Sequence, residues 1–520
     1  MRKRVNQLVA LSLSVIMAGA MLAGCGSEEK GGTSDASSEI SKTGDSGKNV
    51  KDTITLAITE IPTVNPYGAS NKWISIVDNL IHAKLIKIDA DTQEILPDLA
   101  TEWSPNEDNT VWTFTLREGV KFHDGTEFTA DDVKFTWDYG SVPSESVGNP
   151  WTADVSEVNV VDDYTVEFVC EGPVADLPSY LCYPILSKEA FETMDNEETA
   201  AAIGAGPYVL TDNNAGISYS YEKFEDYFGE PAVTPNIECK VINDENSMEM
   251  ALRSGEIDVM SIESSEVAKQ IMEDEDYVCF SKLTADTMYL GINMDRVTDV
   301  NIRKAIAMAI NREEIAETFG DDITATAVYT LFAPSSEGYV ETDIPEYDPE
   351  GAKALLEEAG YGEGLKLVFC HIDGHSVAAE VIQAQLGEIG IEVELTARSG
   401  SGYSQTLKDE GNYDLYMNTT TDFGGVLGYW NKQLMPGVFL NCMNYENPEM
   451  TALHDRAQKA DYDEMLECWG EMQKIFVEDC PAVAVMGLTN LFAGVKGLDG
   501  IVMGSSSLQT DLSHAYIIEG

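Results

Sequence analysis

The chain has 520 residues, with 32 Lys and Arg against 90 Asp and Glu, for a formal net charge of −58. A field of that sign excludes DNA, RNA and an anionic membrane surface as partners of the folded part, since each requires a basic face. It biases capture toward cations or zwitterions only weakly, because salt screens exposed charge beyond about 10 Å.

Arg2, Lys3 and Arg4 precede an apolar run from Leu8 to Ala23 that ends in Leu22-Ala23-Gly24-Cys25. A basic start, an apolar stretch short for a membrane span and small residues before a Cys define an export signal. The LAGC tetrapeptide resembles a bacterial lipobox, which implies cleavage before Cys25 and a diacylglycerol on its sulfur. Residues 26 to about 50 are Gly, Ser, Thr and charge, too polar to bury a core. They read as a flexible tether with a typical end-to-end distance of roughly 25 to 30 Å.

The remaining chain is too long for one simple core, so two or three packing units are expected. Thr53 to Thr59 reads as a strand, and Pro62 and Pro66 then enforce an irregular loop through Asn65 and Tyr67. Trp112, Phe114 and Leu116 alternate with polar residues, the period of a half-buried strand. Asp124-Gly125 supplies a tight turn, which also accounts for His123 beside it. Thr129 and Asp132 form a capping-box start to a helix carrying Val133 and Trp137. Thr165 to Cys170 reads as a strand, Gly204-Ala205-Gly206-Pro207-Tyr208 as a turn into another, and Tyr289 to Asn293 as a crossing strand.

Farther along, Ile302, Ala305, Ile306, Ala309 and Ile310 share one helix face, with Gly320 as the stop. Asp348-Pro349 caps a helix ended by Gly360. Leu365 to Cys370 is a strand, Ser376 caps a helix with Ile382 and Leu386, and Ile391, Val393 and Leu395 alternate as the next strand. Strand, helix, strand with short connections requires a parallel sheet, so the class is α/β. Helices from Pro448 to about Lys459 and from Tyr462 to Glu478 precede Pro481 and the apolar run from Ala482 to Met486.

The wording of Phe114 to Trp137, FTLREGVKFHDGTEFTADDVKFTW, resembles the "LR.GVKFHDG..FTA.DV.F" segment of the family-5 extracytoplasmic solute-binding proteins, which serve peptide, nickel and related ABC importers. "DPEGAKALLEEAGY", "NIRKAIAMAINREEI", "LGEIGIEVEL" and "NPEM" have counterparts there too, so the resemblance runs from about Thr53 to near the C-terminus. It implies a bilobal periplasmic-binding-protein-like clamshell of type II and the large peptide-binding class, with an extra subdomain in the first lobe. On that pattern, residues 1–24 are the signal peptide and 25–50 the lipid-anchored tether. Lobe I takes 51–88, 205–288 and 482–520, its inserted subdomain 89–204, and lobe II 289–481. The implied partners are a small-molecule or peptide ligand, an ABC permease with its ATPase subunits, and the membrane through the lipid on Cys25. A monomer is expected.

No HExxH, GxSxG, Walker A loop or strand-linked GxGxxG occurs, and no catalytic residue, cofactor or metal site is assigned. The best metal-like run, Cys370-His371-Ile372-Asp373-Gly374-His375, reads as a polar strand-to-helix loop, because Gly374 breaks the register that would align its two imidazoles. Eight cysteines besides Cys25 lie at irregular intervals and read as buried apolar fillers, with at most a bond or two.

Specificity is placed in Gly411 to Gly425. The stretch matching it in peptide-binding relatives looks like "YD....GW.ADY.DP", in which the last acid before the aromatic holds the ligand's α-amino group. Tyr413-Asp414 and Asp422-Phe423 fall in phase with it, and an ammonium taken into a closed cleft needs a carboxylate partner. Asn418-Thr419 replaces the family's GW, and Gly424-Gly425 its DP. The lost Trp and the added hydroxyls of Thr419, Thr420 and Thr421 suit a polar ligand. The ligand set is therefore Asp422, Asn418, Thr419 and Thr420, with Tyr403, Asn65 and Tyr67 carried over from cleft-lining regions of relatives. An oligosaccharide or a metal chelate is the alternative cargo. A secreted carboxylate-dependent hydrolase and a non-transport receptor are the alternatives of other classes.

Overall fold

The computed structural model describes residues 49–69, 71–141, 155–332, 338–362, 364–419, 435–436 and 441–519. The first strand, β1 (Thr53–Ile58), is buried along almost its whole length, as a strand covered on both faces must be. Asn71 then accepts from the backbone N–H groups of Trp73 and Ile74 and so caps α1 (Lys72–Ile81).

The stretch that follows builds a separate four-stranded sheet from β2 (Ala100–Pro105), β3 (Val111–Leu116), β4 (Val155–Asp162) and β5 (Thr165–Cys170), in the order β2-β3-β5-β4. The helix α2 (Ala130–Gly140) begins with the expected capping box of Thr129 and Asp132. Phe114, Phe122, Phe128, Trp137 and Phe168 fill the core of this unit. His123 is a turn residue here: its Nε2 lies 3.1 Å from the Gly206 carbonyl and its ring meets Phe224 edge-on.

The chain returns as β6 (Tyr208–Asn214), β7 (Ser218–Lys223) and β8 (Asn236–Val241), then α3 (Glu245–Ser254), β9 (Val259–Ile262) and α4 (Ser265–Met272). Next comes β10 (Tyr277–Ile292), a 16-residue strand of which Tyr289 to Ile292 is only the far end. The expected helix from Ile302 to Gly320 is two helices, α5 (Val300–Ala309) and α6 (Arg312–Gly320). Ile310 is extended between them, and Asn311 caps the second by accepting from Glu314 N–H.

After β11 (Ala325–Ala327) and α7 (Pro349–Glu358), the anticipated strand, helix, strand unit is β12 (Leu365–Ile372), α8 (Ser376–Glu388) and β13 (Ile391–Arg398), with β12 and β13 parallel. Ser376 is not the cap: the helix starts after His375 without a side-chain cap, and the Ser376 hydroxyl donates to the Asp373 carbonyl. The chain closes with β14 (Leu415–Thr419), α9 (Pro448–Ala457), α10 (Tyr462–Asp479) and β15 (Ala482–Val495).

These strands form one 11-stranded sheet in the order β13-β12-β14-β10-β15-β9-β1-β8-β7-β6, with β11 added on β15. The long antiparallel pair β10 and β15 carries the sheet from one half of the fold to the other. Tyr277 to Leu283 pairs with Thr489 to Val495, and Thr287 to Gly291 with Ala482 to Gly487. The register breaks between Leu283 and Thr287, a bulge that bends the ladder. Distinct cores lie on either side. Ile54, Leu56, Tyr208 and Phe492 belong to one half, and Leu290, Ile306, Phe369 and Leu415 to the other. The described part is therefore two-lobed, and each lobe hangs on the same two strands. The eight described cysteines are all free thiols, six of them buried, so none of the bonds left open by the sequence forms.

Candidate functional site

In the second lobe β12, β13 and β14 run parallel. The crossover α8 takes the chain from β12 to β13 on one side, while β14 lies on the other side of β12. Strand order thus reverses between β12 and β14, and in open α/β sheets the crevice at the carboxyl ends of such strands is where ligands bind.

Register fixes which residues reach that edge. Phe369 pairs with Leu415 and Cys370 with Tyr416, so His371 and Ile372 end one strand beside Met417 and Asn418 of the other. From the far side β10 sets Tyr289 opposite Asn418 and Met288 opposite Thr419. Asn418 and Thr419 are both half-exposed there. An amide and a hydroxyl thus stand where the parallel strands stop, against the strand that links the lobes.

Asp414 holds this edge together. One carboxylate oxygen accepts from Arg296 Nε at 2.7 Å and the other from Val368 N–H at 2.7 Å. Its own N–H donates to the Val368 carbonyl at 2.9 Å, and its carbonyl accepts from Asn293 N–H at 2.9 Å. A single residue therefore ties the start of β14 to β12 and to the end of β10. Tyr413-Asp414, in phase with the family pattern, is structural support here.

Tyr403 serves the same strand from behind. It is buried among Tyr289, Cys370, Tyr413 and Tyr416, and its hydroxyl donates to the Met417 carbonyl. Desolvation by burial raises its pKa, so it stays a neutral donor. It thereby fixes the strand that carries Asn418.

Asn65 and Tyr67 stand apart from this group, in the loop after β1, and β10, β15 and β9 lie between β1 and β14 in the sheet. Asn65 accepts from Tyr67 N–H at 3.0 Å and donates to the Tyr139 hydroxyl at 2.7 Å. Tyr67 donates to the Pro184 carbonyl at 2.6 Å and stacks edge-on with Tyr139. Both are buried and bind the loop to the four-stranded unit. Thr420 and Asp422, and likewise Cys25, lie outside the described residues.

The carboxyl end of β12 adds a group that the sequence treats only as a loop. His371 is buried with Nδ1 3.0 Å from the Ile372 carbonyl. His375 has a buried Nδ1 with no hydrogen-bond partner. Burial, and next the neighbouring His371, lower its pKa to about 4, so it is a neutral imidazole at pH 7. A buried polar atom left unsatisfied at the carboxyl end of a parallel strand is a candidate ligand contact. The pair does not make a metal centre with Cys370: among the described residues no three His, Cys, Asp or Glu side chains assemble as a ligand set. No described helix is long and apolar enough to cross a membrane.

Two α/β lobes on a shared pair of long strands, with polar side chains gathered where the parallel strands end, define a solute-binding clamshell of the periplasmic-binding-protein class. The chain belongs to the bacterial extracellular solute-binding proteins, family 5. The family model described as "Bacterial extracellular solute-binding proteins, family 5 Middle" matches residues 94–431. Among curated relatives, the dipeptide-binding protein of Escherichia coli is 26% identical over 466 residues, covering 81% of this chain and 86% of its own. The glutathione-binding protein GsiB of Salmonella paratyphi A is 26% identical over 474 residues, covering 86% and 91%. Among solved structures, the putative peptide-binding protein AppA of Clostridium difficile superposes with a TM-score of 0.78 at 23% identity, covering 89% of this chain and 99% of that one. DppA of Helicobacter pylori, in complex with the peptide STSA, gives 0.74 at 23% identity, covering 90% and 98%. These likenesses carry the large peptide-binding form of the clamshell.

Proposed function

We propose that this protein is the membrane-anchored substrate-binding component of an ABC importer. It captures a small amine-bearing solute, with a peptide the leading candidate, between its lobes and hands it to a permease driven by its ATPase subunits. It catalyses no reaction. The observation that carries the reading is the edge at Asn418 and Thr419, from which the chain runs within three residues to Asp422. Asp422, in phase with the acid that holds the ammonium in the family pattern, is the carboxylate we assign to a ligand held at that edge. Relatives named for dipeptide and glutathione binding support an amine-bearing ligand.

An ammonium moved from water into a closed cleft requires a carboxylate partner. Calorimetry on the mature domain with di- and tripeptides tests this directly. Peptides with a free amino terminus are expected to bind, and their N-acetylated forms to lose at least about tenfold in affinity, a difference of about 1.4 kcal/mol. Equal affinities would remove the amine from the reading.

The anchor rests on the Leu22-Ala23-Gly24-Cys25 segment. The exported chain is expected to partition into detergent and to incorporate labelled fatty acid, and Cys25→Ala to lose the label. An aqueous wild-type protein would refute lipidation.

A further inference from the structure

The lobes also meet away from the two crossing strands. In the turn between β2 and β3, Asn106 accepts from the N–H groups of Thr110 and Val111. Asn109 sits there in the left-handed region, at φ 57°, which Asn tolerates better than most residues. That turn aims its side chain at the second lobe. Asn109 Nδ2 lies 3.1 Å from the Ala460 carbonyl and 3.4 Å from the Gln458 carbonyl.

Those carbonyls belong to the turn that follows α9, where Gln458 is the capping residue and Ala460 lies two residues beyond it. The contact is also returned. Ala175 N–H, from the segment after β5, donates to Gln458 Oε1 at 3.4 Å. The Gln458 Nε2 lies 3.1 Å from His454 Nε2, which sets the amide so that its oxygen faces Ala175. Asn109 and Ala175 belong to the unit with its own aromatic core, and α9 packs on the core of the second lobe, which Ala175 also touches.

We infer that Asn109 and Gln458 form a latch that holds the four-stranded unit against the second lobe and so keeps the two lobes closed over the edge at Asn418 and Thr419. They are positioning residues: the inserted unit supplies, from some 350 residues away, a donor to the carbonyls just past the end of α9, and it can do so only while the lobes are together. A contact of this kind adds to the closed arrangement without touching ligand, and its loss raises the fraction of open molecules by about three- to tenfold, as for one or two net hydrogen bonds. The inference rests on the two-lobed solute-binding reading.

The test uses the mature domain with Asn109→Gly, which keeps the left-handed turn and deletes the amide, and with Gln458→Ala. X-ray scattering is expected to show a larger radius of gyration for both variants, with circular dichroism and melting temperature unchanged. Hydrogen exchange at Ala175 is expected to quicken severalfold in Asn109→Gly, although that substitution leaves the Ala175 bond itself in place. The double variant is expected to open no further than the more open single variant, since both act on one contact. A scattering profile equal to wild type, with faster exchange confined to residues 458–460, would reduce the contact to a local turn contact and overturn the latch. Failure of the solute-binding reading would appear separately, as no bound small molecule, and would leave the scattering difference in place.

Discussion

Asp422→Ala is expected to weaken binding of an amine-bearing ligand by about 2 to 5 kcal/mol, or roughly thirty- to several-thousandfold. The size follows from what is left behind. A ligand ammonium in a closed cleft has given up its water, and without the carboxylate the desolvation is no longer offset. Asn418 and Thr419 on β14 and the neutral His375 are polar but uncharged, so none of them can replace the lost charge. Titrating wild type and Asp422→Ala with the same free-amine peptide checks this. The variant is also expected to lose the discrimination against the N-acetylated peptide. Unchanged affinity would move the ammonium site elsewhere in the chain.

Gly206→Ala is expected to cost about 3 kcal/mol of stability, at the upper end of what overpacking a dense site costs. A Cβ there would stand 2.5 Å from the Ile81 carbonyl carbon and 2.7 Å from both the Ile81 oxygen and the His82 nitrogen. These are backbone atoms at the end of α1, so no side-chain rotation relieves the overlap. The glycine is fixed in place by its own N–H, which donates to the Ile81 carbonyl at 2.8 Å. Gly172, with nothing within 4 Å of the corresponding position, is the control, and Gly172→Ala is expected to stay within about 0.5 kcal/mol of wild type. Urea denaturation of both variants measures the difference. Equal midpoints would mean that the segment 204–207 has room to move off α1.

Local signals carried most of the secondary structure. The capping box at Thr129 and Asp132 and the Asp348-Pro349 start both formed as read, because each is complete within a few residues. The parallel β12, α8, β13 unit followed from periodicity and short connections. The break between α5 and α6 has a local signal as well. Asn311 followed three residues later by Glu314 is a helix start, and the apolar face continuing through Ile310 masked it. Ser376 failed as a cap for the opposite reason, since its hydroxyl found a nearer carbonyl at Asp373.

The site was less legible, for physical reasons. Cys370 meets Tyr416 and Tyr289 meets Asn418 through strand pairing between residues far apart in the chain, and no window of sequence contains such a pair. Asp414 stood out as family wording, while its bonds to Arg296 and Val368, which make it a brace, depend on that same pairing. Asn65 and Tyr67 carried the polarity expected of ligand contacts but spend it on Tyr139 and Pro184.

The central claim is that the two lobes close on one small solute. Native mass spectrometry of the mature domain as purified, repeated on the same sample after unfolding, measures this most directly. The expected result is a folded chain carrying a single amine-bearing small molecule in a one-to-one complex, released on unfolding. A folded chain at its bare mass that also takes up no added di- or tripeptide would contradict it.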